Sequence, residues 1–255
     1  MEFPIEFNPL SDPRTLTVYV LAGGQGTRIR AVIGSERPKL LALLDGRPYL
    51  DYLLDWLEKT GFRRIFFGLG HLSEPIVAAL AEHRGGLELG YRVEPGPLGT
   101  AGALRLALDT GDIPADRPLM ILNGDSMVEV DLRRFVRAHR QAGALASLLC
   151  VPVEDGSRFG RIEADETGRI LCFYEKDPDN HMPGLINAGC YLFEPAMLEV
   201  LRQSSGPSLE RDIFMGVLPF ALHAVRCDAP FIDFGTPESY RQAQSFFKRF
   251  KPHPA

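Results

Sequence analysis

Strand-like and helix-like segments alternate over the first half of the chain. Pro48 to Thr60 carries leucines at helical spacing and is followed by Gly61, so it predicts an amphipathic helix. Leu119–Leu122 is wholly apolar, as in a central parallel strand covered on both faces. The other elements predicted here are strands at Leu16–Leu21, Arg64–Leu69 and Tyr91–Glu94 and helices at Ser73–His83, with a capping serine, and Ala101–Leu108. This order predicts a doubly wound open α/β sheet.

The regular alternation of strands and helices ends at about residue 126. Strand-like runs ASLLCVPVE and LINAGCYLF flank GRIEADETGRILCFYEK, whose acidic, glycine-containing centre predicts a hairpin. Further predicted elements are helices at Ala196–Gln203 and Leu209–Val217, a strand in APFIDFG and a helix in TPESYRQAQSFFKRF. We therefore expect one domain over residues 16–250 that carries antiparallel strands as a lid or platform. Residues 1–15 hold three prolines and acidic residues without a basic start, so we expect a tail or a packed arm rather than a secretory signal.

Composition excludes several classes of partner. Of the 255 residues 45% are hydrophobic, enough for a sizeable core, and the net charge is −5. No basic field indicates nucleic acid, and no apolar run reaches the ~20 residues of a membrane span. The four cysteines form no CxxC pair and lie in apolar, strand-like runs, so they predict buried free thiols. A cytoplasmic protein is expected.

The loop after the first strand is rich in glycines and cations: LAGGQGTRIRAVIGSERPKLL. Ligands of an open parallel sheet bind beyond the carboxyl ends of its strands, and glycines let backbone N–H groups approach an anion. Thr27 adds a hydroxyl, Arg28 a planar fork for phosphate oxygens and Lys39 a mobile charge. The segment predicts a polyphosphate site; the alternative is a glycine turn with solvated arginines.

Two common phosphate loops are absent. No GK dipeptide precedes Ser or Thr, which excludes the GxxxxGK[ST] pattern. The dinucleotide pattern GxGxxG fails because its third glycine position, counted from Gly24, is Ile29.

Seven motifs, in order along the chain, resemble those of the sugar-1-phosphate nucleotidyltransferases. They are LAGGQGTRIR with RPK, EPGPLGTAGAL, NGDS, FYEK, INAGCYLF, SLERDIF and FIDFGTPESY. The resemblance implies a Rossmann-like open mixed sheet of the nucleotide-diphospho-sugar transferase type, three-layer α/β/α, with an antiparallel sugar-binding extension. Leu40 stands where relatives commonly have a second proline, and no hexapeptide repeats follow residue 250. Within the family the short chain most resembles the guanylyltransferases of D-glycero-α-D-manno-heptose 1-phosphate and small mannose- or N-acetylmuramate-type relatives.

The implied reaction joins a nucleoside triphosphate and a sugar 1-phosphate, with Mg²⁺, and releases pyrophosphate. Such chemistry depends on positioning and charge neutralisation, which agrees with a chain rich in Gly, Arg, Lys and Asp. The resemblance implies nucleotide binding by Leu21, Ala22, Gly23, Gly24, Gly26, Thr27, Arg28, Lys39, Glu94, Gly99, Thr100, Asn123 and Gly124. It implies sugar-phosphate binding by Gly160, Glu175, Lys176 and Asn187, metal binding by Asp125 and Asp233, and catalytic roles for Arg28, Lys39 and Asp125.

Alternatives remain for several of these residues. Asp125 and Asp233 could each cap a turn or a helix, and Asn187 could satisfy turn backbone. Glu94 could accept from both N1–H and the 2-amino group of guanine, which favours GTP, although uracil also carries an N–H donor.

The function has alternatives as well. They are uridylyl, cytidylyl or adenylyl transfer to a hexose 1-phosphate such as those of mannose, glucose or N-acetylmuramic acid, a non-catalytic regulatory homologue, and a glycosyltransferase. The sequence leaves open the sugar, the oligomeric state (a dimer included), feedback regulation and the role of the arm.

Overall fold

The helices and strands are taken from a computed structural model that describes residues 12–174, 179, 181–218 and 221–250. The strands are β1 (Thr17–Ala22), β2 (Leu43–Leu44), β3 (Arg47–Pro48), β4 (Arg64–Leu69), β5 (Glu88–Val93), β6 (Leu119–Asn123), β7 (Ser126–Val128), β8 (Ala146–Val153), β9 (Arg161–Ala164), β10 (Ile170–Tyr174), β11 (Gly184–Phe193), β12 (Leu222–Arg226) and β13 (Phe231–Asp233). The α-helices are α1 (Arg30–Ile33), α2 (Tyr49–Lys59), α3 (Ser73–Glu82), α4 (Gly99–Asp109), α5 (Leu132–Ala142), α6 (Pro195–Gln203), α7 (Met215–Val217) and α8 (Pro237–Arg249). A π-helix spans Leu209–Phe214, and 3₁₀ turns span Pro13–Thr15 and Lys39–Leu41.

A nine-stranded mixed sheet forms the centre of the fold. Strand β1 lies between β4 and β6, parallel to both, and β5 continues the parallel part beyond β4. Strand β11 then runs antiparallel to β6, β8 and β9, and β9 pairs with β10 as a hairpin. The predicted Rossmann-like mixed sheet with an antiparallel extension is confirmed.

Two apolar clusters cover the two faces of this sheet. Alternate residues of β1 show the division, because Val18 and Val20 belong to one cluster and Tyr19 to the other. The leucines of α2 pack in the first cluster, and Leu104 and Leu108 of α4 pack in the second. The result is the predicted three-layer α/β/α arrangement, with the carboxyl ends of the parallel strands left accessible between the layers.

Some predicted elements differ in detail. Ser73 begins α3 but does not cap it; Leu72 holds the capping position at φ 58° with no side-chain hydrogen bond. The segment predicted as a helix over Leu209–Val217 is π-helical to Phe214 and α-helical only afterwards. Hydrogen bonds from neighbouring segments to this π-helix and to the residues just before it are described with the active site below.

Helix α5 and strand β12 are absent from the sequence-based expectations. The signals of α5 are present, because Asp131 accepts a hydrogen bond from the Arg133 N–H at 3.0 Å and Gly143 closes the helix at φ 61°. Strand β12 pairs parallel to β8, so the second half is not purely antiparallel. The arm predicted for residues 1–15 lies mostly outside the described residues.

Two further expectations concern the state of the cysteines and the presence of membrane-spanning helices. All four cysteines are unbonded; Cys150 and Cys190 are buried, while Cys172 and Cys227 are only partly so. Across the described ranges, no helix has the length and apolar character needed to cross a bilayer.

Candidate active site

A cleft of about 490 Å³ opens at the carboxyl ends of β1, β4 and β6. Every residue predicted to bind the nucleotide lines it, from Leu21 on β1 to Gly124 after β6. Asp125 lines it as well, whereas Asp233, Gly160 and Asn187 do not. The structure thus brings together residues that are a hundred positions apart, as expected for loops that follow neighbouring parallel strands.

The floor of the cleft is a close approach of backbone segments. A Cβ added at Gly70 would lie 2.9 Å from the Gly23 Cα, and one added at Gly23 would lie 2.9 Å from the carboxyl carbon of Glu94. At Gly70 the obstacle is backbone, so glycine is needed there, whereas at Gly23 the obstacle is the flexible end of the Glu94 side chain. The glycine loop after β1, the end of β4 and the Glu94 carboxyl group therefore form one packed unit.

Glu94 follows β5 and faces this cleft. Its N–H donates to the Leu69 carbonyl at 2.7 Å, which fixes the backbone of Glu94 beside β4. Partial burial raises the pKa of the Glu94 carboxyl group, and a hydrogen bond from the Leu98 N–H acts in the opposite direction. A half-buried carboxylate with remaining acceptor capacity is suited to reading N–H donors on a nucleobase.

Gly99 and Thr100 begin α4 and contact the segment before the π-helix. Gly99 has φ +71°, and the Ala101 N–H donates to the Pro207 carbonyl at 2.9 Å. The Leu209 N–H donates to the Thr100 hydroxyl at 2.9 Å. The predicted base-binding loop is thereby attached to the chain that leads into the π-helix.

Substituting Gly99 by alanine is expected to lower the free energy of unfolding by about 3 kcal/mol, against about 1 kcal/mol for Gly111→Ala. Both glycines have positive φ, at the two ends of α4, but only Gly99 has a neighbour in the way: an added Cβ would lie 2.7 Å from the Pro207 Cβ, whereas nothing lies within 4 Å at Gly111. Urea denaturation of both variants measures the difference. Equal losses would show that the Pro207 contact does not constrain Gly99.

The charged groups of Lys39 and Arg28 lie close to the carboxylates of Asp125 and Asp233 around Gly235. The Lys39 Nζ lies 2.5 Å from the Asp125 Oδ2, and the Lys39 side chain is only 16% exposed. A Cβ added at Gly235 would lie 3.4 Å from the Lys39 Nζ, 3.4 Å from the Asp233 Oδ2 and 3.6 Å from an Arg28 guanidinium nitrogen. All four charged groups therefore converge on one small region at the edge of the cleft.

The backbone near Asp125 is held by three further contacts. Strand β13 pairs with β7 so that Asp233 faces Ser126, and the Phe234 N–H donates to the Asp125 carbonyl at 3.1 Å. The buried Tyr49 hydroxyl donates to the Ser126 carbonyl at 2.7 Å, and burial raises its pKa. These bonds place the turn after β6 beside the end of β13, so that the two aspartates are neighbours.

The capping interpretation of Asp233 is wrong for the helix that follows. Thr236 caps α8, because its hydroxyl accepts from the Ser239 N–H and the Ser239 hydroxyl accepts from the Thr236 N–H. Asp233 instead accepts from Arg158 at 3.0 Å and from the Gly235 N–H at 3.4 Å, so its carboxylate caps the turn before α8, which was the other part of that interpretation. Its carboxylate is 25% exposed and faces charged groups rather than a helix end.

These two carboxylates form a donor set that suits a hard divalent cation. Mg²⁺ is commonly held by one or two carboxylates, with phosphate oxygens and water completing the octahedron. Among the described residues no cluster of three or more His, Cys, Asp or Glu could bind a metal by itself. The pair Asp125 and Asp233 fits a cation whose remaining ligands are water or phosphate oxygens.

Two of the predicted sugar-binding residues, Gly160 and Asn187, lie on the antiparallel extension. Asn187 lies at an irregularity of β11, where its amide donates to the Tyr191 hydroxyl at 2.7 Å and its carbonyl oxygen accepts from the Gly189 N–H at 2.9 Å. These contacts therefore support the interpretation in which the Asn187 side chain satisfies turn backbone rather than binding a sugar. Gly160 lies between β8 and β9, and Glu175 and Lys176 lie outside the described residues.

A family model described as nucleotidyl transferase matches residues 17–249. The chain belongs to the nucleotidyl transferase family. The resemblance drawn from the seven motifs is confirmed, and this transferase is an enzyme of the sugar-1-phosphate nucleotidyltransferase type.

Known members of the nucleotidyl transferase family are similar over most of the chain. A D-glycero-alpha-D-manno-heptose 1-phosphate guanylyltransferase of Aneurinibacillus thermoaerophilus is 32% identical over 92% of this chain and 100% of its own length. A UTP–glucose-1-phosphate uridylyltransferase of Synechocystis is 30% identical over 89% of this chain and 62% of its own. The crystal structure of HddC from Yersinia pseudotuberculosis, also solved with GMP-PN, has a TM-score of 0.79, 28% identity and coverage of 91% and 99% of the two chains.

Several residues at the transferase's site were not predicted from the sequence, and His71, Gly235 and Arg158 are among them. His71 lines the cleft two residues after β4, and its position beyond a strand end was an available signal. Gly235 gains its importance from the charged groups around it, and the glycine within FIDFG hinted at a close approach. Arg158 lies in an ordinary polar loop, and nothing local in the sequence connects it with Asp233, 75 residues away.

Proposed function

We propose that this transferase moves GMP from GTP to D-glycero-α-D-manno-heptose 1-phosphate, with Mg²⁺, and releases pyrophosphate. The observation that carries the proposal is the convergence of Arg28 and Lys39 with two aspartates beside a glycine-lined cleft. The full-length similarity to a heptose 1-phosphate guanylyltransferase supports the choice of substrates. The unbonded thiols support a cytoplasmic location, where cysteines stay reduced.

The reaction balances as one displacement at phosphorus. An oxygen of the sugar phosphate forms a bond to the α-phosphorus of GTP, the bond from that phosphorus to the α–β bridging oxygen breaks, and pyrophosphate leaves with the electron pair. Glycine N–H groups of the loop after β1 bind the triphosphate, Arg28 holds the β- and γ-phosphates, and Lys39 neutralises charge between the α- and β-phosphates. Mg²⁺ held by Asp125 and Asp233 would supply further charge neutralisation at the phosphates.

The nucleobase end of the cleft supports guanine. Glu94 presents a partly buried carboxylate beside Gly99, and guanine offers it two N–H donors, from N1 and the 2-amino group. Adenine lacks that pair of donors, and uracil offers one. The geometry of a carboxylate with two acceptor oxygens thus favours GTP over the other nucleotides.

The variant Glu94→Gln is expected to reduce kcat/KM for GTP by about 10- to 100-fold and for UTP by less, since the glutamine amide replaces one acceptor by a donor and guanine requires both. Steady-state kinetics with the two nucleotides measure the ratio. Glu88→Gln is the matched control, because Glu88 is exposed at the other end of β5. If both nucleotides lost activity equally, Glu94 would not read the base.

Pyrophosphate release with Mg²⁺ tests the proposed function. GTP, UTP, CTP, ATP and dTTP are each paired with the 1-phosphates of mannoheptose, mannose, glucose and N-acetylmuramic acid. Release with GTP and the heptose is the expected result. Release with another pair would keep the reaction and change the substrates; the uridylyltransferase relative makes UTP with glucose 1-phosphate the second candidate. Absence of release from every pair would favour a regulatory homologue.

A further inference from the structure

Arg158 connects the antiparallel extension to the charged centre of the cleft. It lies on the loop between β8 and β9, and its Nη2 donates to the Asp233 Oδ1 at 3.0 Å. The guanidinium lies 5.2 Å from the centre of the Phe159 ring, which packs against Phe231 with ring centres 6.0 Å apart. Phe231 begins β13, so these rings fix the Arg158 loop beside the strand that carries Asp233.

The position of Arg158 differs from that of the other two cations. Lys39 and Arg28 approach Gly235 near the Asp233 Oδ2, whereas Arg158 pairs with Oδ1 from the loop that also holds Gly160. The Arg158 side chain is 36% exposed, so its guanidinium is partly hydrated and has donors beyond the one given to Asp233. It thus lies between a carboxylate suited to a divalent cation and the extension that carries the predicted sugar site.

We infer that Arg158 exchanges partners when the substrates bind: a divalent cation competes with it for Asp233, and the released guanidinium binds the phosphate of the sugar 1-phosphate. This inference rests on the proposed function. A doubly charged ion is a stronger partner for a carboxylate oxygen than a partly hydrated guanidinium. The guanidinium fork in turn matches a phosphate dianion, which can accept two parallel hydrogen bonds from it.

The exchange would reduce the electrostatic repulsion between the two anionic substrates. The sugar phosphate must approach the α-phosphate of an already anionic nucleotide, and Lys39 and Arg28 are assigned to the triphosphate. A third cation on the side of the extension would reduce the repulsion between the two anions. Pairing with Asp233 keeps the Arg158 guanidinium oriented beside this position, so little reorganisation is needed when the phosphate arrives.

The first test measures Mn²⁺ affinity by electron paramagnetic resonance on the full chain, without substrates. Arg158→Gln removes the competitor and is expected to bind Mn²⁺ about 3- to 10-fold more tightly than the parent protein. The double variant Arg158→Gln with Asp233→Asn is expected to lose this gain. Arg226→Gln is the control, because Arg226 forms a comparable ion pair with Asp228 at 3.1 Å away from the cleft. Unchanged or weaker Mn²⁺ binding by Arg158→Gln overturns the exchange.

The second test separates sugar-phosphate binding from support of Asp233. In Arg158→Gln the KM for the active sugar 1-phosphate is expected to rise about 10- to 100-fold, with the Kd for GTP within about twofold and partial recovery in Arg158→Lys. A fall in kcat with unchanged KM would mean that Arg158 only positions Asp233, and the inference would be wrong.

The two proposals can fail separately. If the parent protein released no pyrophosphate from any pair, the proposed function would be rejected while the Mn²⁺ measurement would still decide the competition at Asp233. Calorimetry of mannose 1-phosphate with Mg²⁺ would then decide the phosphate contact, which is expected to be about tenfold weaker in Arg158→Gln. Equal heats and affinities for both proteins would overturn it.

Discussion

Asp125→Ala is expected to lower kcat about a thousandfold or more in the presence of Mg²⁺. Asp125 is the carboxylate that lines the cleft directly, and it pairs with Lys39 at 2.5 Å. Its removal deletes one proposed metal ligand and the partner that orients Lys39, so two of the charges around the phosphates are affected together. The measurement is initial-rate pyrophosphate release with the active substrate pair, at saturating concentrations of both.

Asp116→Ala serves as the control for Asp125→Ala. Asp116 is 75% exposed and pairs only loosely with the adjacent Arg117, in the loop before β6. It should retain near-normal kcat and unfold at the same denaturant concentration as the parent protein. Asp125→Asn keeps the shape of the side chain and is expected to be inactive as well. Near-normal turnover by Asp125→Ala would remove Asp125 from the catalytic site.

Lys39→Gln is expected to lower kcat by about 100- to 1000-fold, the usual cost of removing one preorganised charge from a phosphoryl-transfer site. The Lys39 side chain is largely buried and its Nζ lies 5.6 Å from the centre of the Phe234 ring, so its position is well defined. Kinetics at saturating GTP separate this loss from weaker nucleotide binding. The exposed Lys248, in the last turn of α8, provides a control of the same type through Lys248→Gln. A kcat equal to that of the parent would exclude a catalytic role for Lys39.

The nucleotide side of the site is readable from the sequence because its signals are local. The glycines after β1 and the acidic residue after β6 each follow a short apolar strand, and parallel strands bring such loops to one edge. Strand order predicts that the loops holding Gly23, Glu94 and Gly124 lie at one edge, while the roles of Glu94 and Gly124 are implied by the resemblance to the family. For these residues, the order of the strands along the chain is enough to predict that their loops lie close together in space.

The sugar side and the ion pairs are less readable because they depend on long-range register. Arg158 meets Asp233 only because β13 pairs with β7 and the ring of Phe159 packs on Phe231. Asn187 looks like a ligand in INAG, yet an irregularity of β11 turns its side chain into bonds with Tyr191 and Gly189. Helix α5 is a different case, because its capping Asp131 and its terminating Gly143 are local signals that are visible in the sequence.

The π-helix Leu209–Phe214 touches both halves of the site. At its start, the Leu209 N–H is bonded to Thr100 beside the base-binding loop, and one residue later the Glu210 carboxylate accepts from the Asn187 amide at 3.3 Å and the Tyr191 hydroxyl at 3.2 Å. A ligand that moved the loop at Thr100 would also move the start of the π-helix and, one residue on, the contacts of Glu210 with β11. Any such coupling is reciprocal, so ligands at the two ends would change each other's affinity by the same factor. Because this factor is the same in both directions, the coupling would set how tightly the second substrate binds, whichever substrate arrives first.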